Sequence, residues 1–402
     1  MILHLLFSIL GALLVLATLP LVLELALVTA ANLLPSRSIR SDRSGAVQQN
    51  AASPRLGIVM PAHNEELLVA RSVESVLASI RASGAGSSAE LFVIAHNCSD
   101  TTAARAGAAG ASVVVYNDLD ARGKGFALRY GFAHALGNGC DAVMVVDSDS
   151  LVSANTISTV RNAFIAGARV VQCRYEMESS SGRSGTRLAA LAFRGFNVVR
   201  PRGREGLGLS AGILGNGFAI LGEVLHANPY EAFSVVEDLE YHLHLVMAGE
   251  RVRYLDQAII SADFPESKAG ESVQRSRWEG GRLHTARVWA LPILGKMLGG
   301  RPRLFEPLCD LAGLPLAFGA FFLIAIACLP VFWLRAYAAV SIAVVAAHVL
   351  TAAWAGPEFL KTLQLLALSP LYILRKLLMI PGVIRGSSSK AAWVRTERDN
   401  TL

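Results

Sequence analysis

Residues 2–34 form an almost unbroken apolar run in which only His4 and Glu24 can ionise. A run of that length is hard to bury in a water-soluble domain, whereas about 20 apolar residues suffice to cross a bilayer. No basic segment precedes it and it exceeds the apolar core of a secretory leader, so an anchoring helix is expected rather than a cleaved signal. Arg37, Arg40 and Arg43 follow at once, and the bias of basic flanks toward the cytosol places residue 35 onward on that side. Two further apolar stretches, 308–334 and 337–354, are expected to form a transmembrane hairpin turning at Arg335, with Arg301 and Arg303 at its cytosolic base. Composition agrees: 53% hydrophobic residues and a formal charge of +6 suit a multi-pass inner (plasma) membrane protein with basic cytosolic flanks, not a nucleic-acid binder. Beyond Pro357, Glu358, Lys361 and Gln364 recur amid leucines, and Arg375 and Lys376 interrupt the run 371–380. A further crossing there would export Arg385, Lys390, Arg395 and Arg398, so amphipathic interfacial helices and a basic cytosolic tail are expected over 357–402.

Between the membrane segments the character changes. Residues 35–54 are rich in Ser, Arg, Gln and Ala without apolar period, which reads as a linker. From Arg55, short β-branched runs (56–60, 91–95, 113–116, 142–146) alternate with helical periodicity at 67–81 and 125–136 and an Ala-rich stretch after Asp100. Strand alternating with helix predicts an α/β fold with a parallel sheet and right-handed crossovers. Further strands are expected at 170–175, 253–255 and 258–260, and helices at 188–200 and from Ser234 through Val246. The sheet domain is expected to span 55–290, with an interfacial connection over 291–306 and the hairpin over 307–356. No Gly-x-Gly-x-x-Gly follows the first strand, which disfavours a dinucleotide fold. The five cysteines are scattered without paired spacing, as in reduced thiols.

Polar residues gather where these strands end. Val145-Val146-Asp147-Ser148-Asp149 places two carboxylates just past a strand buried on both faces, where α/β sheets bind ligands and hard oxygens suit a divalent cation. A polar turn after a strand would look the same in isolation. Three more constellations occur: Pro61-Ala62-His63-Asn64-Glu65, Glu237-Asp238, and Gln274-Arg275-Ser276-Arg277-Trp278. Glu237 and Asp238 also suit a helix start, where carboxylates meet the positive end of the dipole.

This ordered set, over about Arg55 to Arg287, resembles the membrane-bound family 2 glycosyltransferases related to cellulose, hyaluronan and chitin synthases. The resemblance implies a GT-A fold and inverting transfer from a nucleotide-sugar donor, UDP-linked by preference, to a membrane-associated lipid or lipid-linked saccharide. A processive polysaccharide synthase is the alternative within the family, with homo-oligomers or polysaccharide-assembly partners; a non-catalytic nucleotide-binding scaffold is the alternative outside it. It further implies that Asp149 holds Mg2+ or Mn2+, that Asp147 and Ser148 lie at the donor, and that Asp238 is the base. Pro61, Ala62, His63, Glu65 and Asp100 correspond to nucleoside-binding positions, although Ala95 and His96 stand where acidic residues are common. Lys124 and Arg277 are expected at the donor phosphates. Gly215, Asn216, Gly217, Glu237, Gln274 and Trp278 are expected at the acceptor. Arg200, Arg202 and Arg204 form a cluster suited to an acidic head group.

Overall fold

The computed structural model describes residues 2–33, 53–178, 184–264 and 268–378, with the side chains of 87, 184 and 268–277 excepted. In chain order the elements begin with α1 (Ile2–Ala31), β1 (Leu56–Ala62), α2 (Val69–Ala82), β2 (Ala89–His96), α3 (Thr102–Ala108), β3 (Ser112–Tyr116) and α4 (Lys124–Gly137). Next come β4 (Ala142–Val145), β5 (Leu151–Val152), α5 (Thr156–Ile165), β6 (Val170–Glu178), α6 (Ser184–Arg194) and α7 (Arg200–Leu207), the last two joined through a π-helical turn, Gly195–Val199. The remainder is β7 (Phe218–Leu221), α8 (Gly222–Ala227), α9 (Glu237–Ala248), β8 (Val252–Asp263), α10 (Lys268–Leu298), α11 (Phe305–Ala312), α12 (Leu316–Cys328), α13 (Phe332–Trp354), α14 (Phe359–Leu365) and α15 (Ser369–Leu377).

Two compact units divide the chain: Ser36–Glu178 with Ser210–Phe264, and Met1–Pro35 with Ser179–Leu209 and Pro265–Leu402. This differs from the expected 55–290 domain. Helices α6 and α7, and the whole of α10, group with the apolar helices, and α10 runs unbroken through residue 290 where a boundary was expected. The linker over 35–54 lies almost wholly outside the described residues.

The first unit is one sheet of eight strands, ordered β3-β2-β1-β4-β7-β6-β8-β5. Strands β3, β2, β1 and β4 are parallel, β7 runs antiparallel between β4 and β6, and β6 pairs parallel with β8. The first four strands are those expected; β5 and β7 were not, and 253–255 and 258–260 are one strand. Period-2 alternation divides β1 between two cores. Leu56, Ile58 and Met60 pack with α2 and α5 residues such as Val73, Val76 and Ile157 on one face. Val59 joins Leu128, Phe132 and Tyr241 of α4 and α9 on the other. A strand covered on both faces needs near-continuous apolar residues, which is why its sequence does not alternate.

In the second unit, α1 and α13 have lengths of 30 and 23 residues and the apolar composition of membrane spans. The stretch 308–334 is not the single helix expected. Helices α11 and α12 meet at 83° across a three-residue break, because Pro315 lacks an N–H and disfavours helical backbone at Leu314. The 13 residues of α12 rise only about 20 Å, short of a bilayer core of about 30 Å. The turn into α13 falls at Leu329–Val331, and Arg335 lies within the helix. Buried Val22, Leu323, Ile326, Leu334 and Ala338 knit α1, α12 and α13 together.

The Arg200–Arg204 cluster is not a surface patch. Gly203 lets α7 approach α1 so closely that a Cβ there would meet the Val28 carbonyl oxygen at 2.1 Å. Glu24 of α1 accepts from Arg200 Nη1 at 3.1 and 3.0 Å and from Arg204 Nη2 at 2.9 Å. Arg204 also pairs with Glu306, and Asp310 accepts from Arg200 Nη1 at 2.9 Å and from Arg282 Nη2 at 2.5 Å. Three cations meet three carboxylates here, with the Glu24 side chain wholly buried. A charge can be kept in a protein interior when it is paired and hydrogen-bonded in this way.

Candidate active site

The expected site residues of the sheet unit collect where β1, β2 and β4 end, the edge at which open α/β sheets bind ligands. Beyond β4, the chain turns through Val146–Ser150, with Ser150 N–H donating to the Asp147 carbonyl at 3.1 Å. Asn216 holds this turn. Its Oδ1 accepts from the Asp147 N–H at 3.1 Å and its Nδ2 donates to Ser150 Oγ at 2.8 Å, while Ser150 Oγ donates to Asp149 Oδ1 at 3.0 Å. Asn216 is itself fixed by Gln172 of β6, whose Nε2 donates to the Asn216 carbonyl at 2.7 Å and whose Oε1 accepts from the Leu214 N–H at 3.0 Å. Both amides are completely buried. Asn216, expected to touch the acceptor, is therefore a peg within the loop.

Lys124 opens α4 and reaches across this loop. Its Nζ lies 2.5 Å from Asp147 Oδ1 and donates to the Gly215 carbonyl at 2.7 Å. Gly215 has φ +76°, and a Cβ there would come within 3.0 Å of Asp238 Oδ2. The glycine thus gives room to a carboxylate as well as supplying a left-handed backbone. Gly217, also at φ +74°, is occupied with the sheet: its N–H donates to the Val145 carbonyl at 3.0 Å, and a Cβ would meet Ile260 at 2.8 Å. Like Asn216, it is a structural residue of the loop. Ser148 is buried.

Electrostatics bind these groups into one assembly. Burial works against the Lys124 ammonium, but Asp147, Glu237 and Asp238 together raise its pKa. Burial and the neighbouring charge of Asp149 raise Asp147, with Lys124 opposing. Burial and the adjacent Asp238 push the Glu237 carboxyl up to about 7, again against Lys124. Lys124, Asp147, Asp149, Gly215, Glu237 and Asp238 are thereby brought together from four separate stretches of chain.

The turn after β1 is tied to the one after β2. His63 Nδ1 lies 2.8 Å from the His96 carbonyl, and Asn64 Oδ1 accepts from the Ser99 N–H at 2.8 Å. Asp100 Oδ1 accepts from the Thr102 N–H at 2.9 Å and hydroxyl at 2.5 Å, and its Oδ2 from the Glu66 N–H at 3.3 Å. Asp100, expected at the donor, acts as a tie that starts α3 and shapes the turn. Pro61 and Ala62 close β1, and the Glu65 N–H donates to Thr102 Oγ1 at 2.8 Å. His96 is buried, stacked on Tyr116 with centroids 4.9 Å apart, and Tyr116 stacks in turn on Tyr130 at 4.3 Å.

The third motif falls in the other unit. The side chains of Gln274 and Arg277 lie outside those described. Trp278 is part-exposed on α10, its ring 6.4 Å from that of Phe193. Two residues missed in the sequence are Gln172 and Ser150; an isolated glutamine within the apolar strand Val170–Cys173 was the available signal for the first.

Two features speak to a divalent cation. Asp147 and Asp149 offer the hard oxygens that Mg2+ and Mn2+ take. Among the described residues no group of three His, Cys, Asp or Glu converges.

The family described as Glycosyltransferase like family 2 matches residues 54–281, more than half of the chain. The chain belongs to this glycosyltransferase family. Among solved structures, the mannosyltransferase PcManGT from Pyrobaculum calidifontis, determined with GDP-Man and Mn2+, aligns with this glycosyltransferase at TM-score 0.56. The alignment covers 97% of this chain and 99% of that one at 16% identity, a likeness of fold, and the fold is GT-A. Glucosyl-3-phosphoglycerate synthase from Mycobacterium tuberculosis, with Mn2+, UDP and phosphoglyceric acid, covers 60% of this chain and 84% of its own at 22% identity and TM-score 0.41. A search of the curated proteins finds none that matches.

Proposed function

We propose that this glycosyltransferase moves a sugar from a nucleotide-diphosphate donor to the hydroxyl of a membrane-associated lipid or lipid-linked saccharide, with inversion at the anomeric carbon. The observation that carries the reading is the convergence of Lys124, Asp147, Asp149 and Asp238 around the Gly215 loop. In the proposed reaction Asp238 takes the proton of the acceptor hydroxyl as its oxygen forms a bond to the anomeric carbon. The bond from that carbon to the diphosphate breaks, and the nucleoside diphosphate leaves with the electron pair. Attack opposite the leaving group inverts the centre. A divalent cation, when bound at Asp149, neutralises charge growing on the diphosphate. Lys124 contributes a fixed positive charge beside it, and Arg277 is the proposed second phosphate contact.

A membrane-held acceptor accords with two helices of spanning length in the chain, α1 and α13, and Arg37, Arg40 and Arg43 just after α1 support a reaction at the cytosolic face of the inner membrane. The test is a donor screen with purified full-length protein in detergent. UDP-, GDP- and dTDP-sugars are offered with Mn2+ or Mg2+, and released nucleoside diphosphate is measured with and without membrane lipid extract. We expect release from one nucleotide class, abolished by chelation and stimulated by lipid. Metal-independent release, or none from any donor, would remove the proposal. Product length on a gel separates single transfer from processive synthesis.

A further inference from the structure

The C-terminal half of α10 and the segment joining it to α11 carry a composition that the transfer reaction does not use. No Asp or Glu occurs between Glu279 and Glu306, whereas Arg282, Arg287, Lys296, Arg301 and Arg303 do. Arg282 is drawn inward to Asp310, and Glu306 is buried against Arg204. Arg287, Lys296, Arg301 and Arg303 are exposed, interleaved with exposed Val288, Leu291, Leu298 and Phe305. Ile293 and Leu304, between them, point inward and are buried.

A second strip of the same kind lies on α15. Lys376 of α15 pairs with Glu279 of α10, so these helices are fastened together within one unit. Helix α15 exposes Leu371, Leu374 and Arg375, with Leu378 just beyond it, and residues 359–378 contain no acid. Both helices belong to the unit of α1, α12 and α13, and α15 packs on α12. Exposed leucines would favour the boundary layer of a bilayer, and cations among them the headgroups above it. A zwitterionic surface satisfies the leucines but gives the exposed cations no net attraction; an anionic one satisfies both.

We propose that the α10–α15 face is a docking surface for anionic phospholipid, recognising headgroup phosphate in a bilayer of net negative charge. It rests on these helices alone and holds whether or not the proposed donor and acceptor are correct. Near an anionic surface each basic residue contributes about fivefold in affinity.

The experiment is native mass spectrometry of full-length protein in mixed detergent micelles, titrated with phosphatidylglycerol or phosphatidylcholine. Wild type is expected to retain phosphatidylglycerol preferentially. Lys296→Gln combined with Arg303→Gln should weaken that binding about 25-fold while leaving phosphatidylcholine binding and the circular-dichroism spectrum unchanged. Arg71→Gln, an exposed arginine on α2, should have no effect. Arg375→Gln, tested separately, should weaken binding several-fold, which keeps the proposal testable if the double variant misfolds. Equal retention of the two lipids by wild type would overturn the proposal. So would full preference in both glutamine variants, or displacement of the lipid by millimolar inorganic phosphate at constant ionic strength.

Discussion

Glu24 sits in α1 with both carboxylate oxygens turned to arginines, so replacing it by glutamine is a sharp perturbation. The isostere fits the space, but only one of its terminal atoms accepts. Where Oε2 meets Arg200 Nη1 at 3.0 Å, an NH2 group would face another donor. One charge-assisted bond is then lost, about 1.5–3 kcal/mol. The balance of three cations and three carboxylates becomes three against two in a region shielded from water. Breaking a buried pair from one side costs about 3–5 kcal/mol in total, and we expect Glu24→Gln to lower the unfolding free energy by that amount. The assay is SDS titration of the protein in mixed micelles, followed by tryptophan fluorescence. Adding Arg200→Met restores the balance at two against two, so the double variant should lose at least 1 kcal/mol less than the sum of the single losses. A loss below about 1 kcal/mol for Glu24→Gln, or strict additivity in the pair, would refute the argument that this network holds α1 in place.

In the active site, Asp238→Asn should reduce turnover by roughly 10^2 to 10^4 while leaving donor affinity nearly unchanged, read by initial rates and by calorimetry with the nucleoside diphosphate. Glu237 gives a pH signature. Its pKa is raised in the fold to about 7, so the folded state holds its proton more tightly than the unfolded chain. The stabilising contribution is complete below pH 4.5 and is lost as pH rises toward 7. Stability of wild type relative to Glu237→Gln should therefore fall by on the order of 2–3 kcal/mol between pH 5 and 7.5, and a constant difference would contradict the assignment. Asn216→Ala leaves the Asp147 N–H without its side-chain acceptor and takes from Ser150 Oγ the donor it accepts from; thermal unfolding should show a loss of about 1–3 kcal/mol. Gly215→Ala forces a left-handed backbone on alanine and crowds Asp238, so transfer should drop by an order of magnitude or more with little change in secondary structure by circular dichroism.

The four parallel strands were legible because burial on both faces demands an unbroken apolar run, which survives any reading frame of the pattern. The motifs at their ends were legible because polar residues interrupt those runs abruptly. Strand β7 was not. Its four residues follow a stretch crowded with glycine from Gly206 to Gly217, and it exists because β4 and β6 flank it rather than from its own propensity. That Asn216 and Asp100 also brace their turns was not legible, since amides and carboxylates in turns serve equally well as internal struts and as ligand contacts. The arginine cluster was misread for a further reason: Glu24 lies 176 residues from Arg200 along the chain, and nothing local to α7 announces that its charges are answered. Even the broken span had a signal, Pro315, whose weight was masked by the hydropathy around it.

The loop that presents the paired carboxylates is braced by Gln172, Asn216 and Ser150 through amide and hydroxyl bonds. None of those three side chains ionises in the physiological range. The bonds from Gln172 and Asn216 are therefore indifferent to acidity, while the Asp147 carboxyl beside them, paired with Lys124, is not. The backbone of the turn is thus pinned by neutral groups, at the Asp147 N–H and the Leu214 N–H, close to where its charges sit.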